Sequence, residues 1–385
     1  MDHPRRKLAR IAVTSIAALA VACSAPPPTT YSRGYHGPNG NTGDDAGLVF
    51  GEDPSGVVGA ACATATAAAA RSPVYMLIVL DGSGSMSQDN KWYAVVPALE
   101  AFFDDLQRQG DTSFGVGLTV FSDTLDKTLG AGPYDKADVP VRFVDATQAA
   151  ALHARLAGAA PDNNTPTYSV LSGQYPIIEH IVPQAPLESG GKRVLVLMTD
   201  GVPNGGAPEQ AQCVGVASSE HTNGVLTLAV GIGNVTPYDP SSYDPLFMGQ
   251  LAQAGGAPNA GCSLDERSDP SRMCHFQVTP GGRSAQEIES DFLGAINRVR
   301  GAALSCEYRL ESTGNDRVDP LKVNVVYTTG AGKDALVPQG STNGWTYDNP
   351  SSPTAVVLHG AACSMAKSDP HGKIKIVLGC KTVVK

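Results

Sequence analysis

Val74-Tyr75-Met76-Leu77-Ile78-Val79-Leu80 carries no charged residue and runs directly into Asp81-Gly82-Ser83-Gly84-Ser85. A continuous apolar run of this length, bounded by turn residues, suits a strand buried on both faces of a sheet. The same signature returns at Val194–Met198, followed by Thr199-Asp200-Gly201, and at Val225–Val230, followed by Gly231. Phe114–Phe121 is a further strand candidate. Helical stretches separate these runs, at 91–107, 147–156, 167–181, 209–221 and 243–254. A final amphipathic stretch over 284–300 puts Ile288, Phe292, Ala295, Ile296 and Val299 on one face. Buried strands alternating with helices predict an α/β fold, an open and mostly parallel sheet with helices on both faces.

Beyond Cys306 the character changes. Short alternating stretches at Lys322–Tyr327, Ala355–Leu358 and Lys373–Leu378 are separated by turn residues such as Thr313-Gly314-Asn315-Asp316. They predict a small β-rich module over 304–385, following an α/β domain over 73–303. Upstream, residues 23–72 hold Pro26-Pro27-Pro28, a stretch dense in Gly, Asn, Asp and Pro, and an Ala-rich run, the composition of a flexible tether. The first 22 residues have a basic front (Arg5, Arg6, Lys7, Arg10) and an apolar run from Ile11 to Ala22 that is too short to span a bilayer, the layout of a secretory signal peptide.

Ala20-Val21-Ala22-Cys23 resembles a bacterial lipobox, although Ala20 stands where Leu is usual. That resemblance implies cleavage before Cys23 and lipidation of it, with Ser24 favouring the outer membrane. The alternative is plain cleavage after Ala22 and secretion. The formal net charge is −9; the first 22 residues carry four Arg and Lys against one Asp, so the mature chain is expected near −12. That balance disfavours nucleic acid as a partner, and any membrane contact beyond an N-terminal lipid anchor.

Seven cysteines follow Cys23, an odd number in a compartment that permits disulfides. Cys262 and Cys274 flank a polar loop that a bridge would clip, worth about 3 kcal/mol for a loop of ~13 residues in the chain-entropy view. Cys363 and Cys380 bracket what reads as the last hairpin and pair likewise. Cys213, mid-helix, is the expected free thiol.

In open α/β sheets ligands collect beyond the carboxyl ends of the strands. Three loops lie at that edge: Asp81–Ser85, Asn164-Thr165-Pro166-Thr167 and Thr199-Asp200-Gly201. Ser83, Ser85 and Thr165 offer hydroxyls; Asp81 and Asp200 offer carboxylates. This is a hard-oxygen set suited to Mg2+, with Mn2+ or Ca2+ as alternatives. Two carboxylates only balance the ion's charge, so an open position would attract an anionic oxygen such as a partner's Asp or Glu. Asp200, read as a rim residue, is expected to tolerate replacement by Ala without loss of the fold.

Asp81-x-Ser83-x-Ser85, Thr165 and Asp200 resemble, in order and context, the metal-ion-dependent adhesion site of von Willebrand factor type A domains. The resemblance covers about Pro73 to Ala303. It implies that Ser83 and Ser85 bind the metal directly, and the other three directly or through water. The whole chain resembles bacterial type A lipoproteins with a Cys-rich β tail. Because the two ends of a type A fold lie near each other, the resemblance also implies a Cys62–Cys306 bridge.

Enzymatic alternatives fail on residues. Ser83 stands where a haloacid-dehalogenase-type phosphatase needs a second Asp, no Gly-x-Ser-x-Gly occurs, and Gly231-Ile232-Gly233 lacks a third Gly at dinucleotide spacing. The expectation is an exported, lipid-anchored binding protein and no enzyme. A structural envelope protein whose metal only stabilises the domain stays open beside it.

Overall fold

A computed structural model of the chain describes residues 65–69, 71–122, 134–162, 164–187, 190–235, 243–266, 268–310, 319, 321–369, 372–378 and 381–382. The signal peptide, Cys23, Cys62 and Cys380 lie outside the described residues.

The apolar runs form one six-stranded sheet. Its strands are β2 (Val74–Asp81), β3 (Phe114–Phe121), β4 (Val139–Phe143), β5 (Lys192–Thr199), β6 (Val225–Ile232) and β7 (Phe276–Val278), in the order β4-β3-β2-β5-β6-β7. All neighbours are parallel except β4 on β3. The predicted α/β class holds, and the mostly parallel sheet has one antiparallel edge strand.

Alternation along β2 explains the two layers. Val74, Met76, Ile78 and Leu80 point to one face and Tyr75, Leu77 and Val79 to the other, all buried. The first face receives α1 (Lys91–Gln109), α2 (Ala146–Ala157) and α6 (Ala285–Ala303). The second receives α3 (Thr167–Glu179), α4 (Gly206–Thr222) and α5 (Pro245–Ala254). Each fully buried aliphatic side chain here is worth about 1.5–3 kcal/mol, so the seven apolar residues of β2 anchor both layers at once. Helix starts follow local chemistry: Ser284 and Glu287 form a reciprocal capping box on α6, and Asp244 caps α5 by accepting from Leu246 and Phe247 N–H.

The C-terminal region is β-rich, as expected, but built on more strands than the alternation showed. One sheet has the order β1-β13-β9-β10, from β1 (Ala65–Ala69), β9 (Val323–Thr328), β10 (Asp334–Val337) and β13 (Lys373–Leu378). A second has the order β11-β12-β8, from β8 (Glu307–Arg309), β11 (Trp345–Tyr347) and β12 (Ala355–Leu358). They enclose Trp345, Tyr327, Tyr308, Val325 and Ile376, with helix α7 (Gly360–Ser368) contributing Ala362 and Ala366.

Two expectations change here. The tether expected over 23–72 does not run as far as 72, because β1 pairs antiparallel with β13 and Ser72 N–H donates to the Glu307 carbonyl at 3.0 Å. The α/β domain is thus inserted between the first strand of the β module and the rest of it. Arg71 strengthens that junction, donating to the Tyr308 hydroxyl at 3.1 Å and the Ala366 carbonyl at 2.8 Å.

Among the cysteines, Cys262 pairs with Cys274 as expected, with Cα atoms 4.9 Å apart, and Cys213 is free and buried. Cys363 does not pair with Cys380, nor Cys306 with Cys62: Cys306 bridges Cys363, with Cα atoms 5.5 Å apart. Pairing of β8 with β12 sets this, since the Leu358 N–H donates to the Cys306 carbonyl at 2.8 Å and brings Cys306 beside α7. Cys363 sits on that helix rather than at the mouth of a hairpin.

Candidate functional site

Chain order reverses around β2. From β2 the chain crosses through α1 to β3 on one side, and later returns to β5 on the other, opening a crevice at the carboxyl ends of β2 and β5. Asp81 is the last residue of β2 and is fully buried; Asp200 follows β5 and is 2% exposed.

The Asp81–Ser85 loop is pinned from several sides. Asp81 Oδ1 accepts from the Ser83 backbone N–H at 2.8 Å. Gly82 donates to the Phe121 carbonyl at 2.8 Å, and its own carbonyl accepts from Asp162 N–H at 2.9 Å. A short 3-10 turn over Gly84–Ser87 then buries Met86 completely, fixing the loop to the core.

Side-chain oxygens converge from there. Ser83 Oγ lies 3.1 Å from Ser85 Oγ, and Ser85 Oγ donates to Asp200 Oδ1 at 2.8 Å. Thr165 comes from the turn before α3, and its hydroxyl reaches the same space beside Gly201. A Cβ at Gly201 would stand 3.1 Å from Thr165 Oγ1 and 3.7 Å from Asp81 Oδ2, tight enough to crowd the crevice. All five predicted site residues are therefore brought together.

Three further residues hold them, and the sequence did not single them out. Thr199 donates its hydroxyl to Asp81 Oδ2 at 2.5 Å. Asn204 clamps Thr165 from both sides: its Oδ1 accepts from Thr165 N–H at 2.8 Å, and its own N–H donates to the Thr165 carbonyl at 3.2 Å. Lys91, the first residue of α1, places its ammonium 2.5 Å from Asp200 Oδ2. The only sequence signals were adjacency to Asp200 for Thr199 and Asn204, and a cation at a helix start for Lys91. Lys91 also corrects the picture of Asp200 as a dispensable rim residue, since both of its carboxylate oxygens are engaged below the surface.

Electrostatics favour a cation here. Burial, followed by the neighbouring charge of Asp200, pushes Asp81 up to about 7. Asp200 is also raised by burial, against the opposing pull of Lys91. Two buried carboxylates sharing one crevice are stabilised by positive charge, and Lys91 supplies only one unit. The Ser83 and Ser85 hydroxyls, which now hydrogen-bond each other and Asp200, have lone pairs to turn toward an ion, and so does the Thr165 hydroxyl. The set fits a hard divalent cation. Among the described residues no group of three or more His, Cys, Asp and Glu gathers as a metal site would, so softer-metal coordination has no such cluster to use there.

The family model described as the von Willebrand factor type A domain matches residues 76–241. Those residues form a type A domain. The match opens inside β2 and ends between β6 and α5, so it spans all five oxygen donors.

Several solved structures are similar to this chain. One is a von Willebrand factor type A protein from Catenulispora acidiphila, 15% identical, with 81% of this chain and 59% of that chain covered and a TM-score of 0.41. Another is the pilus adhesin SpaC from Lactobacillus rhamnosus GG, 16% identical, covering 79% of this chain and 38% of that chain at a TM-score of 0.45. A third is the manganese-loaded TRAP protein of Plasmodium vivax, 17% identical, covering 60% and 76% at a TM-score of 0.37. The chain spans less than two thirds of the first two. Comparison with curated proteins returns no match.

Proposed function

We propose that the type A domain binds a divalent cation, Mg2+ by preference, through Asp81, Ser83, Ser85, Thr165 and Asp200, and that the ion in turn binds a carboxylate on a partner protein. The observation that carries this reading is the convergence of three hydroxyls and two buried carboxylates on one crevice beside Gly201. The ligand set is neutral enough to leave an ion electrophilic, and an acidic side chain is the simplest group to complete its coordination. The reading is of a binding module rather than an enzyme, exported and held at the cell envelope by a lipid on Cys23. Among the described residues no helix is long and apolar enough to cross a membrane.

A metal serving stability alone is the weaker reading, because Lys91 already partners Asp200 without it. Thermal melting with Mg2+ and with EDTA tests the site. At a hundredfold excess over the dissociation constant, Mg2+ should add about 2.7 kcal/mol to the wild type. Thr165→Val and Ser85→Ala should lose most of that gain. Titration of an Asp-containing peptide, with Mg2+ and with EDTA, then tests partner binding. No Mg2+-dependent stabilisation of the wild type removes the reading; a metal effect with no peptide binding leaves the structural one.

A further inference from the structure

Lys91 occupies an unfavourable place for a cation. It is the first residue of α1, at the positive end of the helix dipole, and it is 8% exposed. The backbone is bent to put it there: Asp89 and Asn90 both take left-handed conformations, with φ of 51° and 59°, and Asn90 gives the helix no side-chain cap. These two residue types tolerate that conformation best among non-glycines, so the loop is built to allow it. Among the described residues the one ion-pair partner of Lys91 is Asp200, 2.5 Å away. A surface lysine in the first turn would cost less and need no such loop.

The geometry points to Lys91 as a resident counter-cation that competes with the divalent ion for Asp200. This inference rests on the metal-site reading above. An ion that takes Asp200 as a ligand meets an ammonium already bound to the same carboxylate. It must either share Asp200 with that charge at close range or displace the side chain from a buried position. Both weaken binding, so Lys91 lowers the site's affinity for the ion while holding Asp200 in place when the ion is absent. The domain is thereby set to load only where divalent ion is plentiful.

Mn2+ is the probe, titrated into the full chain and followed by electron paramagnetic resonance of the free ion. Lys91→Met removes the charge at similar length. Lys91→Gln keeps a donor for Asp200 without the charge, and serves where the Met variant fails to fold. Both should bind Mn2+ tighter than the wild type, on the order of tenfold or more. Their melting gap between EDTA and Mn2+ should widen, and Lys91→Arg should stay near the wild type. Mn2+ affinity unchanged or lower in folded Met and Gln variants overturns the inference while leaving the metal site intact. Absence of Mn2+ binding in the wild type and all variants overturns the metal-site reading itself, and the inference with it. Binding by the variants but not the wild type supports the strongest form of the competition.

Discussion

Two buried polar clusters sit at the carboxyl edge of the same sheet, and they are satisfied in different ways. One lies between β2 and β5 and contains Asp81, Asp200 and Lys91. The other lies at the end of β6, where the Tyr243 hydroxyl donates to Gln277 Oε1 at 2.5 Å and lies 2.9 Å from His275 Nε2. Gln277 completes it by donating to the Gly233 and Val278 carbonyls at 2.8 and 2.9 Å. Gly231 and Gly233 make room, since a Cβ at either would overlap the Tyr243 ring. This second cluster is held by hydrogen bonds between neutral side chains and backbone carbonyls, and holds neither carboxylate nor ammonium. The first holds two carboxylates against one ammonium. Burial alone therefore does not mark a site; unbalanced buried charge does.

Substitution should separate the two clusters. Asp200→Ala strands the Lys91 ammonium, so the chain should lose about 3–5 kcal/mol in denaturant titration under EDTA. A variant as stable as the wild type would mean that the ion pair contributes nothing. Tyr243→Phe should cost less, about 1–3 kcal/mol, because it removes the hydroxyl that bonds both Gln277 Oε1 and His275 Nε2. Its Mg2+-dependent melting shift should equal that of the wild type; a reduced shift would tie the two clusters together.

A pH series sharpens the contrast. Asp81 is pushed from 3.8 up to about 7, by burial first and then by Asp200. The folded chain thus holds this proton more tightly than the unfolded one. Its stabilising contribution is fully present below about pH 4 and is lost as pH rises through 7, at up to ~1.4 kcal/mol per pH unit. Denaturation under EDTA between pH 4 and 7 should show that slope, and saturating Mg2+ should flatten it by favouring the ionised form. An equal slope with and without Mg2+ would separate the ion from Asp81. The smallest effect is expected for Asn204→Ala, about 1 kcal/mol for one hydrogen bond to Thr165 N–H, accompanied by weaker Mg2+ binding.

How far the residues announced this arrangement depends on where their partners lie. Val74–Leu80 and Val194–Met198 showed themselves because a strand buried on both faces must be apolar throughout, and the candidate site residues Asp81 and Asp200 come just after those runs. Thr165 came from its place before α3. Lys91 was invisible because its role depends on Asp200, 109 residues away. The strands β7, β8 and β11 are three residues each, too short for any period to register. β1 is Ala65-Thr66-Ala67-Ala68-Ala69, with no β-branched or aromatic run, and becomes a strand only through its partner. The Cys306–Cys363 bridge followed from the pairing of β8 with β12, which spacing between cysteines does not encode.

That pairing of β1 has a consequence in time. β13 lies between β1 and β9, with Ala65 opposite Leu378 and Val323 opposite the same residue on the other side. A chain that emerges N-terminus first delivers β1 early and its neighbour last, and at ~5–20 residues per second the wait is tens of seconds. Before it ends the α/β domain can complete its own sheet, since β2 to β7 all precede β13 in the chain. Closure of the β module is then the final event of folding, and a chain cut short before Lys373 keeps Asp81, Ser83, Ser85, Thr165 and Asp200 but loses the strand that joins its first described segment to β9.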